Sequence, residues 1–302
     1  MDYILGVDGG GTKTLALLGD LDGNVLGRGL SGPSNYNAVG FEAACSALEI
    51  AIRLARKDHP GELSALCLGL AGAGRREDIE RFRDWAADKF PNTNVKVVSD
   101  AEVLLMAGAP SGPALALICG TGSIVFGRTV TGELIRAGGW GYLFGDEGSG
   151  YAIGSSALRA IMQAHDGRGP ETLLSELVLD RYSLHSPTEL VPTIYGATSP
   201  RLEVAKLSEL VQQAAEHEDA VAIAILDDAG RELARTVGAV YARLGTNPVP
   251  LVIAGGTILR GRYLMKTFQR ISETLQLAFA AVHYVDEPAE SALKLAQILS
   301  LG

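Results

Sequence analysis

The sequence predicts an α/β protein of two domains built on one duplicated plan, and three observations carry this. The chain has 302 residues, too many for one ordinary core and suited to two of about 100 to 200 residues each; two domains imply a cleft. Apolar strands alternate with helical segments, the pattern of a sheet with helices packed on it. The stretch from Ala114 also overlays the stretch from Tyr3: Gly11-Thr12 falls on Gly120-Thr121 and Asp22-Gly23-Asn24 falls on Thr131-Gly132-Glu133, each displaced by 109 residues. The second copy therefore starts near Ala114. This divides the chain into a first domain over 1–113 and a second over 114–286 with helical insertions, and the final helix, within 287–302, is expected to pack back on the first.

Tyr3 to Val7 reads as a short apolar strand, and the run Asp8-Gly9-Gly10-Gly11-Thr12 as a turn whose glycines predict unusual backbone angles. Thr14 to Leu18 resumes a strand, Asp22-Gly23-Asn24 makes a hairpin turn, and Val25-Leu26 opens a third strand. Phe41 to Arg56 is a helix with Phe41, Cys45, Leu48, Ile52 and Ala55 on one face. Ser64 to Leu70 is a buried strand, Arg75 to Lys89 a polar helix and Val95 to Val98 another strand. The second copy continues through a glycine cluster, Gly138 to Gly150, and helical segments at Tyr151 to Ala164, Glu203 to Glu216 and Ala220 to Leu244. A strand at Leu251 to Ala254 and a last helix, Ala289 to Leu299, follow.

Composition excludes whole classes of function. Hydrophobic residues are 47% and charged residues 20%, enough apolar surface for packed cores and too much for a disordered chain. No apolar run approaches the roughly 18 residues of a membrane helix, and Asp2 stands where a signal peptide has a basic start, so a cytoplasmic location is expected. Net charge of −9, from 26 Lys+Arg against 35 Asp+Glu, disfavours nucleic acid and anionic membrane as partners. A phosphate ligand would have to be held locally, by backbone amides or a metal. Cys45, Cys67 and Cys119 are odd in number and far apart, which reads as buried hydrophobes rather than a disulfide or CxxC pair. The five histidines form no i, i+4 pair, so a protein-built zinc site is not expected, and the GxSxG elbow of serine hydrolases is absent.

The 37 glycines cluster. In Asp8 to Thr14 the amides of Gly9, Gly10 and Gly11 could converge on an anion, with Thr12, Lys13 and Thr14 as further donors; a plain hairpin turn is the other reading. The run is neither a Walker loop nor a dinucleotide fingerprint, because it lacks GxxxxGK[ST] and a strand follows it. Gly120, Thr121, Gly122 and Ser123 occupy the equivalent turn of the second copy. Gly255 and Gly256 follow a strand and open a helix, where glycines permit flat approach of a base or ribose; alone, they would read as ordinary punctuation. Asp100 follows a strand and precedes a helix, placed equally well to accept a hydroxyl proton or to cap the helix.

The set Asp8 to Thr14, Gly120 to Ser123, Ala254 to Gly261, Asp100 and Gly138 to Gly150 resembles the actin-like ATPase superfamily of sugar kinases, within it the N-acetylglucosamine kinase group of the BadF/BadG/BcrA/BcrD ATPase family. The resemblance implies two ribonuclease-H-like domains around an interdomain cleft, ATP with Mg2+ in that cleft, and closure on sugar. It implies transfer of the γ-phosphoryl group to a sugar hydroxyl, usually O6, by a homodimer. Asp100 matches the family's catalytic aspartate, and Asp8 would hold the magnesium unless it only caps its turn. The glycine runs with Thr12, Lys13, Thr14, Thr121 and Ser123 would bind ATP. Asn35, Gly139, Trp140 and Asp146 match sugar-binding positions, Trp140 as a flat wall, although Asp146 and Glu147 read also as caps of the next helix. In the animal kinases an asparagine follows GTGS; here Ile124 stands there, so glucosamine, N-acetylmuramic acid or another hexose competes with N-acetylglucosamine as substrate. Two other classes remain: an ATP-driven redox activator of the 2-hydroxyacyl-CoA dehydratase type, which needs converging cysteines, and a non-catalytic sugar sensor.

Overall fold

A computed structural model describes residues 2–301. The chain divides into two compact units, one running to Ser111 and including the segment from Glu287 onward, the other Gly112–Asp286. The first holds a five-stranded sheet of β1 (Asp2–Gly9), β2 (Thr14–Gly19), β3 (Val25–Ser31), β4 (Glu62–Leu70) and β5 (Asn94–Ser99), in the order β3-β2-β1-β4-β5. The first three strands are an antiparallel meander, and β4 and β5 run parallel to β1. Helices α1 (Tyr36–Val39), α2 (Phe41–Ala55), α3 (Arg76–Lys89) and α4 (Asp100–Gly108) complete the unit together with the chain's last helix, Pro288–Ser300.

Alternation along β1 explains why both faces of this sheet are covered. Tyr3, Leu5 and Val7 join α2 and α3 in one core with Leu48 and Phe82, while Ile4 faces a second core with Val103, Ala292 and Leu293. The last helix approaches β1 so closely that a Cβ on Gly6 would lie 2.1 Å from the Leu293 amide nitrogen.

The second unit repeats the plan. Its strands β6 (Ala114–Cys119), β7 (Ser123–Arg128), β8 (Leu134–Gly138), β9 (Val249–Ala254) and β10 (Phe279–Val285) lie in the order β10-β9-β6-β7-β8, the same arrangement read from the other edge. Helices α5 (Gly150–His165), α6 (Leu173–Tyr182), α7 (Leu190–Tyr195), α8 (Pro200–Lys206), α9 (Ser208–Glu216) and α10 (Ala220–Tyr241) are inserted between β8 and β9. Next come α11 (Gly256–Arg260) and α12 (Arg262–Thr274); the last helix is α13.

The repeat extends to individual hydrogen bonds. In the first hairpin Asp20 N–H donates to the Asn24 carbonyl and Gly23 N–H to the Asp20 carbonyl; in the second Thr129 N–H donates to Glu133 and Gly132 N–H to Thr129. Gly23 and Gly132 adopt φ of +89° and +84°, which glycine supplies without strain. Even the side-chain support is analogous, since Asp20 Oδ1 accepts from Asn24 N–H and Thr129 Oγ1 from Glu133 N–H.

Two expectations are corrected. Glu203 to Glu216 is not one helix but α8 and α9, because the Ser208 hydroxyl donates to the Ala205 carbonyl and Leu207 N–H goes to the Val204 and Ala205 carbonyls, a local competition that interrupts the ladder. The glycines of Asp8 to Thr12 do not carry unusual angles: Gly9, Gly10 and Gly11 all stay outside the left-handed region. Space is what Gly9 supplies, since a Cβ there would lie 2.6 Å from both Leu70 Cδ2 and Ser34 Oγ. Among the described residues no helix is long and apolar enough to cross a membrane.

Candidate functional site

In the first unit, parallel pairing brings the chemistry to one edge of the sheet. Asp8 pairs with Gly69 on β4 and Gly9 with Leu70, while Leu70 pairs with Ser99 on β5. Asp8, Leu70 and Asp100 therefore share the carboxyl edge of the three parallel strands, where ligands of open α/β sheets are bound. Gly69 lets α4 begin there, because a Cβ on it would lie 2.4 Å from Val103 Cγ2.

Asp100 does not cap α4. Ser99 is the N-cap: its hydroxyl accepts from Glu102 N–H, and the Glu102 carboxylate accepts from Ser99 N–H, a complete capping box. Asp100 is thereby left as the first helical residue, with Oδ1 accepting from Ala101 N–H at 2.9 Å. Burial pushes its carboxyl up, and the backbone amides of Ala101 and Asp100 partly oppose this. Asp8 is pushed up to about 7 by burial and then by the charge of Asp100, with the Lys13 ammonium pulling the other way. Two carboxyls with raised affinity for protons at one sheet edge are the signature of a site that handles a proton or a cation.

The turn beside them is short. Gly10 N–H donates to the Lys13 carbonyl, and the Gly10 carbonyl accepts from the amides of Ser34 and Asn35. Gly11, Thr12 and Lys13 are exposed. Thr14 departs from the expectation: it is fully buried, and its hydroxyl contacts the Gly32 carbonyl and the Ser34 hydroxyl, each at 2.8 Å, so it is spent inside the unit. Asn35 caps α1 through Oδ1, which accepts from Asn37 N–H. It sits against Gly72, where a Cβ would lie 2.7 Å from Asn35 Oδ1.

In the second unit three glycine segments converge on one carbonyl. Gly120 O accepts from Gly150 N–H at 2.8 Å and from the Thr257 hydroxyl at 2.9 Å, and Gly255, at φ +99°, lies so near that a Cβ would sit 2.4 Å from Cys119 O. Gly120 to Ser123, Gly148 to Gly150 and Gly255 to Thr257 are thus one packed assembly. Gly120 N–H closes the turn onto the Gly122 carbonyl. The Ser123 hydroxyl donates to the Glu147 carbonyl at 2.7 Å.

Around this assembly lie Gly139, Trp140 and Asp146, three of the four expected sugar-binding residues. Trp140 is 63% exposed and carries the Arg136 guanidinium on its ring at 4.3 Å. Gly139, at φ +69°, packs on Ile124, whose Cδ1 would lie 2.3 Å from a Cβ there. Asp146 is no helix cap, since Ser149 caps α5; it is buried, with φ +60°, and paired to Arg201 at 3.0 Å. Sequence reasoning missed Arg201 because only the fold brings α8 to Asp146. It also missed Thr257, although that residue directly follows the flagged Gly255-Gly256.

Residues 5–292 match the BadF/BadG/BcrA/BcrD ATPase family. The chain belongs to that family. Among relatives within reach of this BadF/BadG/BcrA/BcrD ATPase family member, the N-acetylmuramic acid/N-acetylglucosamine kinase of Clostridium acetobutylicum is 36% identical, covering 97% of this chain and 96% of the relative. The N-acetyl-D-glucosamine kinase of Dictyostelium discoideum is 34% identical over 86% of each. A crystal structure from Chromobacterium violaceum, described as a candidate N-acetylglucosamine kinase, superposes with a TM-score of 0.73 at 28% identity, over 97% of this chain and 98% of that one.

Proposed function

We propose that the protein is an ATP-dependent kinase that phosphorylates an N-acetylated amino sugar, N-acetylglucosamine or N-acetylmuramic acid, on O6. The observation that carries this reading is Asp100: freed from capping by Ser99, held at the carboxyl edge of the parallel strands, and with its proton affinity raised. A carboxylate so placed accepts the proton of an attacking hydroxyl as that oxygen bonds to the γ-phosphorus and ADP leaves. The first unit supplies Asp8, Asp100 and the turn Gly9 to Lys13. Gly120 to Ser123, Gly255 and Gly256 are the second unit's nucleotide-binding segments, with Asn35, Gly139, Trp140 and Asp146 as the sugar's partners. The activities of the relatives support the assignment of the sugar class.

The residues fit a nucleotide-bound magnesium ion. Among the described residues no three His, Cys, Asp or Glu gather into a metal cluster, and Asp8 offers the single carboxylate that such an ion, otherwise held by water and phosphate oxygens, takes from protein, leaving Asp100 free as the base. When bound, it neutralises phosphate charge. The homodimer belongs to the same proposal, and solution mass tests it. The redox-activator reading finds no support in the cysteines: Cys67 and Cys119 are wholly buried, their thiols pushed up to about 12 by burial.

The test is release of ADP with ATP, magnesium and, separately, N-acetylglucosamine, N-acetylmuramic acid, glucosamine and glucose. The expected result is turnover on the first two and none on a 6-deoxy analogue. ADP release with none of the sugars would sink the reading, and turnover on glucosamine alone would move the substrate class.

A further inference from the structure

We propose that Arg201 is a positioning residue that holds Asp146 and its loop in the sugar-binding geometry; the inference rests on the kinase reading above. One guanidinium meets three things. Its Nη2 donates to Asp146 Oδ2 at 3.0 Å, its Cζ lies 5.3 Å from the centroid of the Tyr142 ring, and Nη2 would be 3.1 Å from a Cβ on Gly122. Arg201 therefore grips the loop Gly138 to Gly150 at two points and lies against the turn Gly120 to Ser123.

The two ends of the pair differ in exposure. The Asp146 side chain is 5% exposed and that of Arg201 43%. A pair with one end in water gives little stability through charge attraction, but a buried carboxylate without its partner is costly and reorients. Asp146 also adopts φ +60°, which an aspartate sustains only where its surroundings enforce it. Tyr142, on the same loop, leans edge-on against Tyr151 of α5 at 5.0 Å. The guanidinium, Tyr142 and Tyr151 thus form a brace behind the loop, while Leu143 and Phe144 between the two gripped residues stay 72% and 82% exposed. No motif includes Arg201. Gly122 is the one glycine of its turn whose Cβ would strike Asp146 Oδ2, at 2.8 Å, so the brace needs glycine at that position.

Arg201 bonds to Asp146 but only packs on the turn Gly120 to Ser123, which is closed by its own bonds from Gly120 N–H to the Gly122 carbonyl and from the Ser123 hydroxyl to the Glu147 carbonyl, so its loss falls on the sugar and not on the nucleotide. Initial rates for wild type, Arg201→Met and Arg201→Lys, with N-acetylglucosamine and N-acetylmuramic acid varied against saturating ATP and the reverse, test this. In Arg201→Met the sugar KM rises roughly ten- to hundredfold, the weight of a hydrogen bond to a buried charge, while the ATP KM stays within about twofold. Arg201→Lys recovers most of the loss. Asp146→Ala and the double variant Asp146→Ala/Arg201→Met show the same sugar KM, because alanine leaves no acceptor and the second change removes an interaction already gone. If Arg201→Met does not fold, Arg201→Lys against Arg201→Gln carries the same comparison. An unchanged sugar KM, or an ATP KM that rises in step with it, overturns the inference and leaves the kinase reading intact. Wild-type protein that phosphorylates none of the sugars overturns both.

Discussion

The two sheets have the same strand order and the same hairpin hydrogen bonds, yet their carboxyl edges carry different chemistry. In the first unit Asp8 is the last residue but one of β1, and the strand-to-helix step after β5 presents Asp100. In the second, the residue at the same step of the hairpin ladder is Ile118, half-buried, and the residue after β10 is Asp286, which is exposed. One copy keeps two buried carboxyls; the other keeps packed glycine backbone and a single ion pair. Duplication has preserved the hydrogen-bonded frame, which either copy needs in order to fold, and freed the edge residues, which neither frame requires.

Asp100→Asn attacks the chemical side of this contrast. Turnover should fall by about 10² to 10⁴, the usual weight of a positioned base, while nucleotide affinity measured by calorimetry changes little. A drop of less than tenfold would show that Asp100 takes no part in the proton transfer. Gly255→Ala attacks the packing side. A methyl at φ +99° facing the Cys119 carbonyl should lower the melting temperature by about 5 to 10 °C, from a few kcal/mol of strain. Gly11→Ala is its control, because nothing lies within 4 Å of a Cβ there, and its melting temperature should match wild type.

Asp8→Asn sharpens the contrast more gently. The Asp8 carboxyl is raised in the fold to about 7 from an ordinary 3.8, so the fold holds a proton that the unfolded chain has released throughout that window. Stability rises as pH falls from 8 toward 5 and is lost again as pH climbs through 7. Melting curves without magnesium should therefore slope less with pH in Asp8→Asn than in wild type; equal slopes would show that Asp8 is ionised throughout.

Much of this was legible because it is local. Strands, hairpins and the repeat follow from apolar runs and turn residues a few positions apart, and two hairpins in one register expose a duplication without any tertiary information. The capping box was missed: Ser99 and Glu102 stand at the required spacing, yet Asp100 reads from sequence equally as cap or base, and only the structure decides that it is not a cap. Other features depend on contacts between residues far apart in the chain. Gly9 is needed for room beside Leu70 and Ser34 rather than for its dihedral freedom. Thr14 looks like a free donor until Ser34 folds over it, and Asp146 looks like a cap until α8 delivers Arg201. Pattern reading finds where the backbone turns; it misses which distant side chain has already claimed a polar group.

The docking of α13 on β1 has a consequence for how the protein is made. Gly6 opens a groove that only the Ala292-Leu293 backbone fills, and the ribosome emits that helix after the whole of the second unit. The apolar underside formed by Ile4, Leu17 and Val98 lacks the cover of α13 until that helix has been made. Maturation of the proposed catalytic edge is thus tied to the synthesis of α13, and a nascent chain stalled before it would carry Asp8 and Asp100 on an unfinished support.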